Sequence, residues 1–467
     1  MDHDALRHWS KRAADWAAEY HATLGDRPVR ADTTPGATAA RLPDAAPEQA
    51  EDLETIFADF KAIVPEAMTH WQHPRFFAYF PANAAPASML AEQLANAMAA
   101  QCMLWQTSPA ATEIEQVMIA WLRGALGLAP HFSGTLHDTA TTATFCAVLT
   151  MRERALGWAG LTEGLSGQSP VRIYASAQTH SSIDKAVRMA GIGQDNLVKI
   201  PTDRTHAMDP AALERAIAAD RAAGYRPAGV IACVGGTSIG ASDRVADVLA
   251  VAKSADLYTH VDAAWAGSAM ICPEFRWLWQ GVDAADSVVF NPHKWLGAQF
   301  DCAVQFLADP APQVNTMGLR PDYLQTLDQD AVTNFNEWTV PLGRRFRALK
   351  LWFLLRAEGL EALRRRIRDH VAWVHELRDA VATLPGFEVV TDCPLALFTF
   401  RYAPDGRDAD AATRDLLTRI NDDGRVYLTQ TLHEGRFVIR MTAGSFATTR
   451  ADVMTVRDVL AELTGQA

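Results

Sequence analysis

Between about residue 84 and residue 350, short β-rich runs alternate with helical segments, and this alternation constrains the fold of the 467-residue chain more than any other feature. Predicted strands lie at 171–175, 197–200, 229–234, 257–262, 287–290 and 303–307, and predicted helices at 145–155, 181–190, 210–219 and 245–254. Strands that alternate with helices form a mainly parallel sheet covered by helices. We therefore predict an α/β fold for this part of the chain.

The flanking segments follow different patterns. Helical periodicity at 5–23 and near 51–63 predicts an N-terminal helical segment, which could hardly fold without a partner. The last hundred residues alternate helices and strands in a way that indicates a small α+β domain. The predicted organisation is an N-terminal segment that packs on a partner subunit (1–83), a large domain (84–350) and a small C-terminal domain (351–467). Residues 311–337 between the last strands and helices read as a long loop, and such loops are usually functional or mobile.

Composition and charge exclude several classes of protein. The formal net charge of −12 argues against nucleic acid as the main partner, because phosphate binding needs a basic face. No apolar run approaches the length needed to span a bilayer, and the first residues lack the pattern of a signal peptide. The six scattered cysteines have no metal-binding spacing and read as reduced core thiols. We expect a cytoplasmic enzyme without a bound metal.

Three polar residues, Asp262, Thr237 and Lys294, each follow a predicted strand. Because ligands gather at the carboxyl ends of parallel strands, one crevice can collect all three. Pyridoxal phosphate (PLP) chemistry requires a lysine that forms a Schiff base and an aspartate that keeps the pyridine nitrogen protonated. A lone lysine is typical of a solvated surface, but Lys294 lies between His293 and Trp295 and is paired with Asp262. The sequence therefore predicts PLP chemistry at this edge of the sheet.

Two further features fit such a site. A run of small and hydroxyl residues, 134–144, opens the helix predicted at 145–155, where backbone N–H groups can bind phosphate and Thr141 can add a hydroxyl. His180 begins another helix just beyond a strand, where its ring could stack over a cofactor. Taken alone, the first feature is typical of ordinary helix capping, and His180 and Thr237 are typical of a cap and a turn.

Five ordered strings make the chain resemble the group II PLP-dependent decarboxylases, with the branch of aromatic-L-amino-acid decarboxylases as its closest match. The strings are His-Pro-Arg-Phe-Phe-Ala-Tyr-Phe-Pro at 73–81, Thr-Ser-Pro-Ala-Ala-Thr-Glu at 107–113, His-Val-Asp-Ala-Ala at 260–264, Asn-Pro-His-Lys-Trp at 291–295 and Pro-Leu-Gly-Arg-Arg-Phe-Arg at 341–347. The resemblance implies a PLP-dependent transferase fold of type I with a mixed, mostly parallel seven-stranded sheet. It also implies a homodimer with active sites at the subunit interface.

The same resemblance implies roles for individual residues. Lys294 would form the Schiff base, Asp262 would hold the pyridinium nitrogen, and His180 would stack on the ring and help to place the substrate. The residues implied to bind the cofactor are Ala140, Thr141, Thr237, Asp262, Ala264, Asn291, His293, Lys294 and Gly343. Tyr323 matches the mobile-loop tyrosine that returns a proton to Cα after CO₂ leaves. Related aldehyde synthases typically carry phenylalanine there, so Tyr323 favours simple decarboxylation to an arylalkylamine.

Substrate choice rests on a mostly aromatic or apolar pocket. The implied substrate-binding residues are Trp71, Tyr79, Phe80, Pro81, Ala82, Met103 and His180, some of them from the second subunit. This set favours an aromatic amino acid, although Tyr79 and Phe80 are also typical of plain core. Three alternatives stay open. They are an aldehyde synthase, a decarboxylase of acidic amino acids served by Arg75 or Arg347, and a catalytically silent structural homologue.

Three positions depart from the family's pattern. Ala82 stands where threonine is common near the substrate carboxylate, so one hydrogen bond could be absent or replaced. Met103 replaces a pocket phenylalanine, and its flexible thioether could admit a larger ring such as indole. Asn336 stands where an arginine is frequent near the mobile loop, and the missing charge could alter loop closure.

Overall fold

The structure is a computed structural model that describes residues 1–319 and 331–466. The chain divides into two compact units. The first comprises Met1–Pro81, Trp373–Val390 and Phe400–Ala467, and the second comprises Ala82–Ala372 and Thr391–Thr399. The first unit thus contains most of both flanking segments, and the predicted division into 1–83, 84–350 and 351–467 stays a prediction.

The helices and strands of the described residues are as follows. The helices are α1 (His3–Thr23), α2 (Leu53–Ile63), α3 (Pro86–Met98), α4 (Pro109–Leu126), α5 (Ala140–Ala155), α6 (Gly160–Glu163), α7 (Ser181–Met189), α8 (Pro210–Ala222), α9 (Val245–Ser254), α10 (Ala311–Met317), α11 (Arg347–Ala382), α12 (Ala409–Asp423) and α13 (Arg450–Thr464). The strands are β1 (Ser133–His137), β2 (Val171–Ser176), β3 (Leu197–Ile200), β4 (Arg226–Cys233), β5 (Tyr258–Asp262), β6 (Ser287–Phe290), β7 (Ala303–Leu307), β8 (Phe387–Asp392), β9 (Leu397–Tyr402), β10 (Thr429–His433) and β11 (Arg436–Thr442).

The second unit is built around a seven-stranded sheet with the order β1-β7-β6-β5-β4-β2-β3. Neighbouring strands from β6 to β3 are parallel, whereas β7 runs antiparallel to both β6 and β1. This is the mixed, mostly parallel sheet that the sequence predicts. The β5 and β6 strands are buried along their whole length, as expected for central strands covered by helices on both faces.

The hydrophobic core of this unit includes a cluster between α5, α7 and the strands β2, β4 and β5. Val148 and Met151 of α5 and Ile183 of α7 meet Ile173 and Ile231 of the sheet, and all five are shielded from solvent. Burial of such side chains contributes roughly 2 kcal/mol each relative to leaving them exposed. The packing fixes α5 against the sheet, so the helix start lies beside the carboxyl ends of the central strands.

The first unit contains a four-stranded sheet with the order β10-β11-β9-β8. Its N-terminal helix α1 has no buried residue, although Trp16 packs edge-on against Phe60 of α2 with ring centroids 4.7 Å apart. A helix of 21 residues that buries so little of its surface gains little from packing within the single chain.

One predicted segment is wrong in part, because residues 311–317 of the predicted 311–337 loop form helix α10. A proline in the first turn starts this helix, and Gln313 is fully buried, where its amide bonds to Gln305 and to the carbonyl of Trp338. Residues 320–330 lie outside the described part of the chain. In the described ranges, no helix combines the length and apolar character that crossing a membrane requires.

Candidate active site

Asp262 is the last residue of strand β5 and lies where the parallel strands of the seven-stranded sheet finish, the carboxyl edge of the sheet. Asp262 pairs with Cys233 of β4 on one side and Val289 of β6 on the other, so it lies at the centre of the sheet. Its side chain is buried, with 6% of the residue exposed, and its Oδ1 accepts a hydrogen bond from the Ala264 backbone N–H at 3.1 Å. A carboxylate held in this way is fixed in orientation before any ligand binds.

Lys294 lies on a single π-helical turn, Pro292–Leu296, which follows β6 and ends at Gly297. Gly297 has a φ of 105°, a conformation that favours glycine. Pro292, His293, Trp295 and Leu296 are buried, whereas Lys294 is half-buried. Single π-helical turns are rare and occur frequently at functional sites. The four buried residues of the turn therefore anchor it in the core, and Lys294 is the one residue of the turn that is partly exposed.

Backbone contacts bring the Asp262 and Lys294 segments together. The Asn291 N–H donates to the Ala264 carbonyl at 2.9 Å, and the Lys294 N–H donates to the Asn291 carbonyl at 3.0 Å. Ala140, at the start of α5, packs in one cluster with Val289 and Ala264. The ends of β5 and β6 and the start of α5 thus lie together, and the crevice that they border stays a prediction.

The start of α5 and Asn291 leave polar groups available at this crevice. Thr139, the residue before α5, provides no side-chain cap to the helix, so the first-turn N–H groups of Ala140 and Thr141 can bind an anion. The buried Oδ1 of Asn291 has no hydrogen-bond partner among the described residues. A buried polar atom without a partner costs free energy unless a ligand or water satisfies it.

His180 forms the N-cap of α7, as the sequence predicts. Its Nδ1 accepts a hydrogen bond from the Ser182 N–H at 3.1 Å and lies 2.8 Å from the Ser182 hydroxyl. Although much of the residue is exposed in the single chain, partial desolvation of the ring lowers its pKa. The charges of Asp262 and Lys294 act on that pKa in opposite directions. His180 is therefore near both residues, and its partial desolvation favours the neutral ring.

His293 is buried under the lysine turn. Its Nδ1 accepts a hydrogen bond from the Cys302 N–H at 2.9 Å, and its ring meets Phe300 edge-on at 4.9 Å. Burial, reinforced by the charge of Lys294, lowers the pKa of His293 to about 3. The ring is therefore neutral and supports the turn that carries the lysine.

The remaining predicted cofactor residues lie in two turns of the same unit. Thr237 is half-buried in the turn after β4, where Gly235 approaches Ala266 so closely that an added Cβ would lie 2.5 Å from the alanine Cβ. Gly343 is exposed and borders a cavity of about 170 Å³ that Asp138 and Thr142 near the start of α5 also line. Their roles toward the cofactor stay predictions.

The predicted substrate residues are divided between the two units. In the first unit Trp71 stacks on Tyr79 with ring centroids 5.6 Å apart, and the two residues are 40% and 46% exposed. Phe80 and Pro81 are buried, and Phe80 lies under the guanidinium of Arg440. In the second unit Ala82 and Met103 are half-buried, and the Met103 carbonyl accepts from the Asn336 N–H at 3.1 Å.

Three further residues bear on the prediction of the site. Tyr323 lies outside the described residues, and Asn336 is buried in the place of the expected arginine. Asn83 was not singled out from the sequence, but its side-chain amide donates to the Lys294 carbonyl and its N–H donates to the His293 carbonyl. The only sequence signal for Asn83 is its position just after the 73–81 string.

The residues at this edge fit PLP. Lys294 supplies the amine, Asp262 a buried carboxylate, and the uncapped start of α5 a set of phosphate-binding N–H groups. The buried amide oxygen of Asn291 is a further polar group that awaits a partner. These are the donor and acceptor types that a phosphorylated pyridine aldehyde requires.

Comparisons with known proteins identify the family of this chain. The family model described as "Pyridoxal-dependent decarboxylase conserved domain" matches residues 35–403. Aromatic-L-amino-acid decarboxylase from Rattus norvegicus is 36% identical over 460 residues, which cover 95% of this chain and 94% of that protein. Phenylacetaldehyde synthase from Arabidopsis thaliana is 35% identical over 458 residues, covering 95% and 93%. A crystal structure of Oryza sativa TDC with PLP and tryptamine is 34% identical, with a TM-score of 0.96 and coverage of 100% of this chain and 99% of that chain.

The fold and the site define a PLP-dependent enzyme built on a mixed seven-stranded sheet. The chain belongs to the pyridoxal-dependent decarboxylase family. It is a carboxy-lyase whose cofactor is PLP, which confirms the family resemblance, the fold class and the cofactor that the sequence predicts.

Proposed function

We propose that this enzyme removes the carboxyl group of an aromatic L-amino acid and releases CO₂ and the corresponding arylalkylamine. The observation that carries the chemistry is the meeting of Asp262, Asn291 and Lys294 with the uncapped start of α5 at one sheet edge. The aromatic substrate is supported by the similarity, over nearly the whole chain, to an aromatic-L-amino-acid decarboxylase.

Bound PLP supplies an electron sink for the electron pair that CO₂ leaves behind. In the proposed mechanism Lys294 provides the amine that holds the cofactor and later releases the product. Asp262 keeps a fixed negative charge at the sheet edge, since its Oδ1 is already oriented by the Ala264 N–H. Desolvation favours the neutral form of His180, whose ring would face the cofactor, while the N–H groups of Ala140 and Thr141 would hold its phosphate. Tyr323 is the proposed general acid that returns the proton to Cα.

The aromatic residues of the first unit support the proposed substrate class. Trp71 stacks on Phe76 at 4.8 Å and on Tyr79 at 5.6 Å, and Tyr427 lies 6.4 Å from Tyr79. The exposed rings of Trp71 and Tyr79, stacked on each other above the buried Phe76, offer an apolar surface that suits another aromatic ring. Trp71, Tyr79, Phe80, Pro81, Ala82 and Met103 remain our proposed substrate-binding residues.

The arginines that could serve an acidic substrate are already engaged. Arg75 donates to the carbonyls of Gly25 and Arg425, and its guanidinium also lies 3.3 Å from the Asp452 carboxylate. Arg347 donates to Asp301 at 2.8 Å. An acidic amino acid would have to displace these partners, so the contacts favour an aromatic substrate over glutamate or cysteine sulfinate.

We propose that the enzyme is a homodimer. Helix α3 exposes Leu90, Leu94 and Met98, spaced four residues apart, and α4 exposes Val117 and Trp121. An exposed apolar stripe on adjoining chain segments is typical of a protein interface. A second copy of this chain is the proposed occupant, consistent with the exposed helix α1 of the first unit.

Sedimentation tests the dimer directly. Leu94→Glu places a charge in the stripe and is expected to give a monomer, because an unpaired charge in an apolar interface is costly. Leu161→Glu makes the same change at an exposed leucine of α6 and should leave the dimer intact. A monomeric wild-type protein, or equal sedimentation of all three proteins, contradicts the proposal.

We also propose a cytoplasmic location. All six cysteines are free and buried, as expected for a protein kept in a reducing compartment. Fractionation of cells that express the tagged protein checks this, and recovery with a membrane or secreted fraction would overturn it.

Product analysis tests the reaction. Incubation with PLP and a panel of aromatic and acidic amino acids should yield CO₂ and an arylalkylamine, with no near-stoichiometric peroxide. An aldehyde synthase is the second candidate, since phenylacetaldehyde synthase is 35% identical, and it would release aldehyde, ammonia and peroxide. Near-stoichiometric peroxide during turnover therefore selects the second candidate, and an acidic substrate alone would overturn the proposed specificity.

Tyr323→Phe separates the two reactions within one chain. If Tyr323 protonates Cα, its loss should divert product from amine toward aldehyde, with peroxide rising in proportion. Unchanged amine output in the variant excludes Tyr323 as the proton donor.

A further inference from the structure

The backbone around Lys294 is held by donors that come from distant parts of the second unit. Five successive carbonyls, from residue 293 to residue 297, each accept a hydrogen bond. The Asn83 N–H donates to the first at 2.9 Å, and the Asn83 amide donates to the second, that of Lys294. Arg366 Nη2 donates to the carbonyls of residues 295 and 296 at 3.1 and 2.6 Å, and the Ala85 N–H donates to that of residue 297 at 3.0 Å.

A single π-helical turn needs such support. Within the turn, the Gly297 N–H bonds back to the Pro292 carbonyl, while the last carbonyls of any helix lack partners inside it. One isolated turn is also too short to be stable by itself. The hydrogen bonds from Asn83, Ala85 and Arg366 therefore determine where the backbone of Lys294 lies.

Arg366 is the charged member of this set. It lies on the second half of α11, beyond the bend at Gly359, and is half-buried as a residue with its Nε shielded from solvent. Burial lowers the pKa of Arg366 to about 9, against the opposite effect of Glu358, so the guanidinium is still protonated at pH 7. Hydrogen bonds from a charged donor are roughly twice as strong as neutral ones.

We propose that Asn83 and Arg366 are positioning residues that fix the backbone on both sides of the Lys294 Cα, so that its amine meets the cofactor in one geometry. Neither residue needs to touch the cofactor. This proposal rests on the proposed role of Lys294. It attributes the precise position of the Lys294 amine to two side chains outside the 291–295 string.

The test compares Arg366→Met, Arg366→Lys and Asn83→Ala with the control Arg368→Met. Arg368 is two residues further along the same helix, is exposed and pairs with Glu274, so its loss removes an arginine without touching the lysine turn. Each PLP-loaded protein is measured for the pH midpoint of its visible absorbance, for kcat and KM, and for thermal stability. Borohydride reduction followed by peptide mass spectrometry identifies the lysine that carries the cofactor.

Arg366→Met is expected to lower kcat about tenfold with KM changed less than about twofold, because a small misplacement of the amine slows the reacting step. The absorbance midpoint should move by about half a pH unit or more, since the surroundings of the amine change. Arg366→Lys should recover most of both values, because an ammonium group can donate to the same carbonyls. Arg368→Met should match the wild type.

Two failures are distinguishable. If borohydride labels a lysine other than Lys294 in the wild type, the proposed function of Lys294 fails and this inference falls with it. If Lys294 is labelled but Arg366→Met has the kcat and absorbance midpoint of Arg368→Met, the positioning role alone is overturned, even when thermal stability falls. Should Arg366→Met not fold, Asn83→Ala is judged by the same two measurements.

Discussion

The parallel strands of the seven-stranded sheet begin at one side of the sheet, the amino edge, and finish at the other, the carboxyl edge. Polar groups at these two edges find their partners differently. At the amino edge a cavity of about 630 Å³ is lined by Arg154, Arg221 and Arg226. Each arginine donates to a backbone carbonyl at or just beyond the end of a helix. Arg154 donates to the carbonyl of Asp256, Arg221 to that of Ala255, and Arg226 to that of Ala155. At the carboxyl edge the start of α5 has no side-chain cap, and Asn291 Oδ1 has no partner in the described part of the chain.

The difference shows what marks a site in this protein. The arginines that line the cavity at the amino edge complete helix ends and so have a structural task. The crevice at the carboxyl edge leaves buried or oriented polar groups without partners, which a ligand can satisfy. Within the described residues, the candidate active site is distinguished by the combination of an unpartnered Asn291 amide oxygen, an uncapped helix start and a buried carboxylate at one end of the sheet.

Replacing the two lysines that lie at opposite edges gives the largest expected contrast. Lys294→Ala should abolish the visible absorbance of lysine-bound PLP and reduce kcat by about 10³-fold or more, because Lys294 is the amine proposed to hold the cofactor. Lys253→Ala, which removes the partner of Asp286 at the amino edge, should leave both unchanged. An absorbance band that persists in Lys294→Ala refutes the assignment of that lysine.

The aspartates provide the next contrast. Asp262→Asn removes a buried negative charge and is expected to lower kcat by about 10²-fold or more, because the fixed charge stabilises the electron-poor ring. Asp256→Asn, at the exposed partner of Arg154, should keep the wild-type kcat. Steady-state kinetics at saturating PLP measure the kcat of each variant. Equal kcat values in the two variants would show that Asp262 has no catalytic role.

Acid should destabilise the carboxyl edge through His293. Its pKa is about 3 in the folded protein and about 6.5 in the unfolded chain, so the unfolded state binds the proton first as pH falls. The free energy of unfolding should therefore drop by about 1 kcal/mol per pH unit below pH 6.5 from this group. Urea unfolding at pH 7, 6 and 5 should show a shallower slope for His293→Gln than for the wild type. His131→Gln, at an exposed histidine, should keep the wild-type slope, and three equal slopes contradict the prediction.

The smallest effect is expected at the amino edge. Arg226→Ala removes the donor to the Ala155 carbonyl at an exposed position, which should lower the free energy of unfolding by about 1 kcal/mol or less. The kcat should be unchanged, as measured with the same substrate. A loss of activity without a loss of stability would show that this cavity takes part in function and would break the comparison.

The sequence predicts the frame of the site because that frame depends on local pattern. Strands β3, β6 and β7 and helix α9 have the predicted bounds, since continuous apolar runs and helical periodicity are read from neighbouring residues. The parallel order then places Asp262 and Lys294 at one edge without any knowledge of side-chain contacts.

The supports of the site could not be predicted in the same way. Asn83 and the Lys294 carbonyl that it contacts are 211 residues apart, and no spacing rule links such positions. Helix α10 was missed because its seven residues include a proline and three polar residues, and only burial of Gln313 against Gln305 reveals why they fold. Long-range partners of this kind are visible only in three dimensions.

The placement of the cysteines gives the enzyme an internal reporter of its opening. All six thiols are buried and all belong to the second unit, and burial raises the pKa of Cys102 and Cys272 to about 11 and that of Cys146 and Cys302 to about 12. Thiolates, the nucleophiles that react with alkylating reagents, are thus scarce while this unit stays closed. The rate of iodoacetamide labelling consequently measures how often the second unit opens enough to expose a thiol. It does not report motion in the first unit, which contains no cysteine.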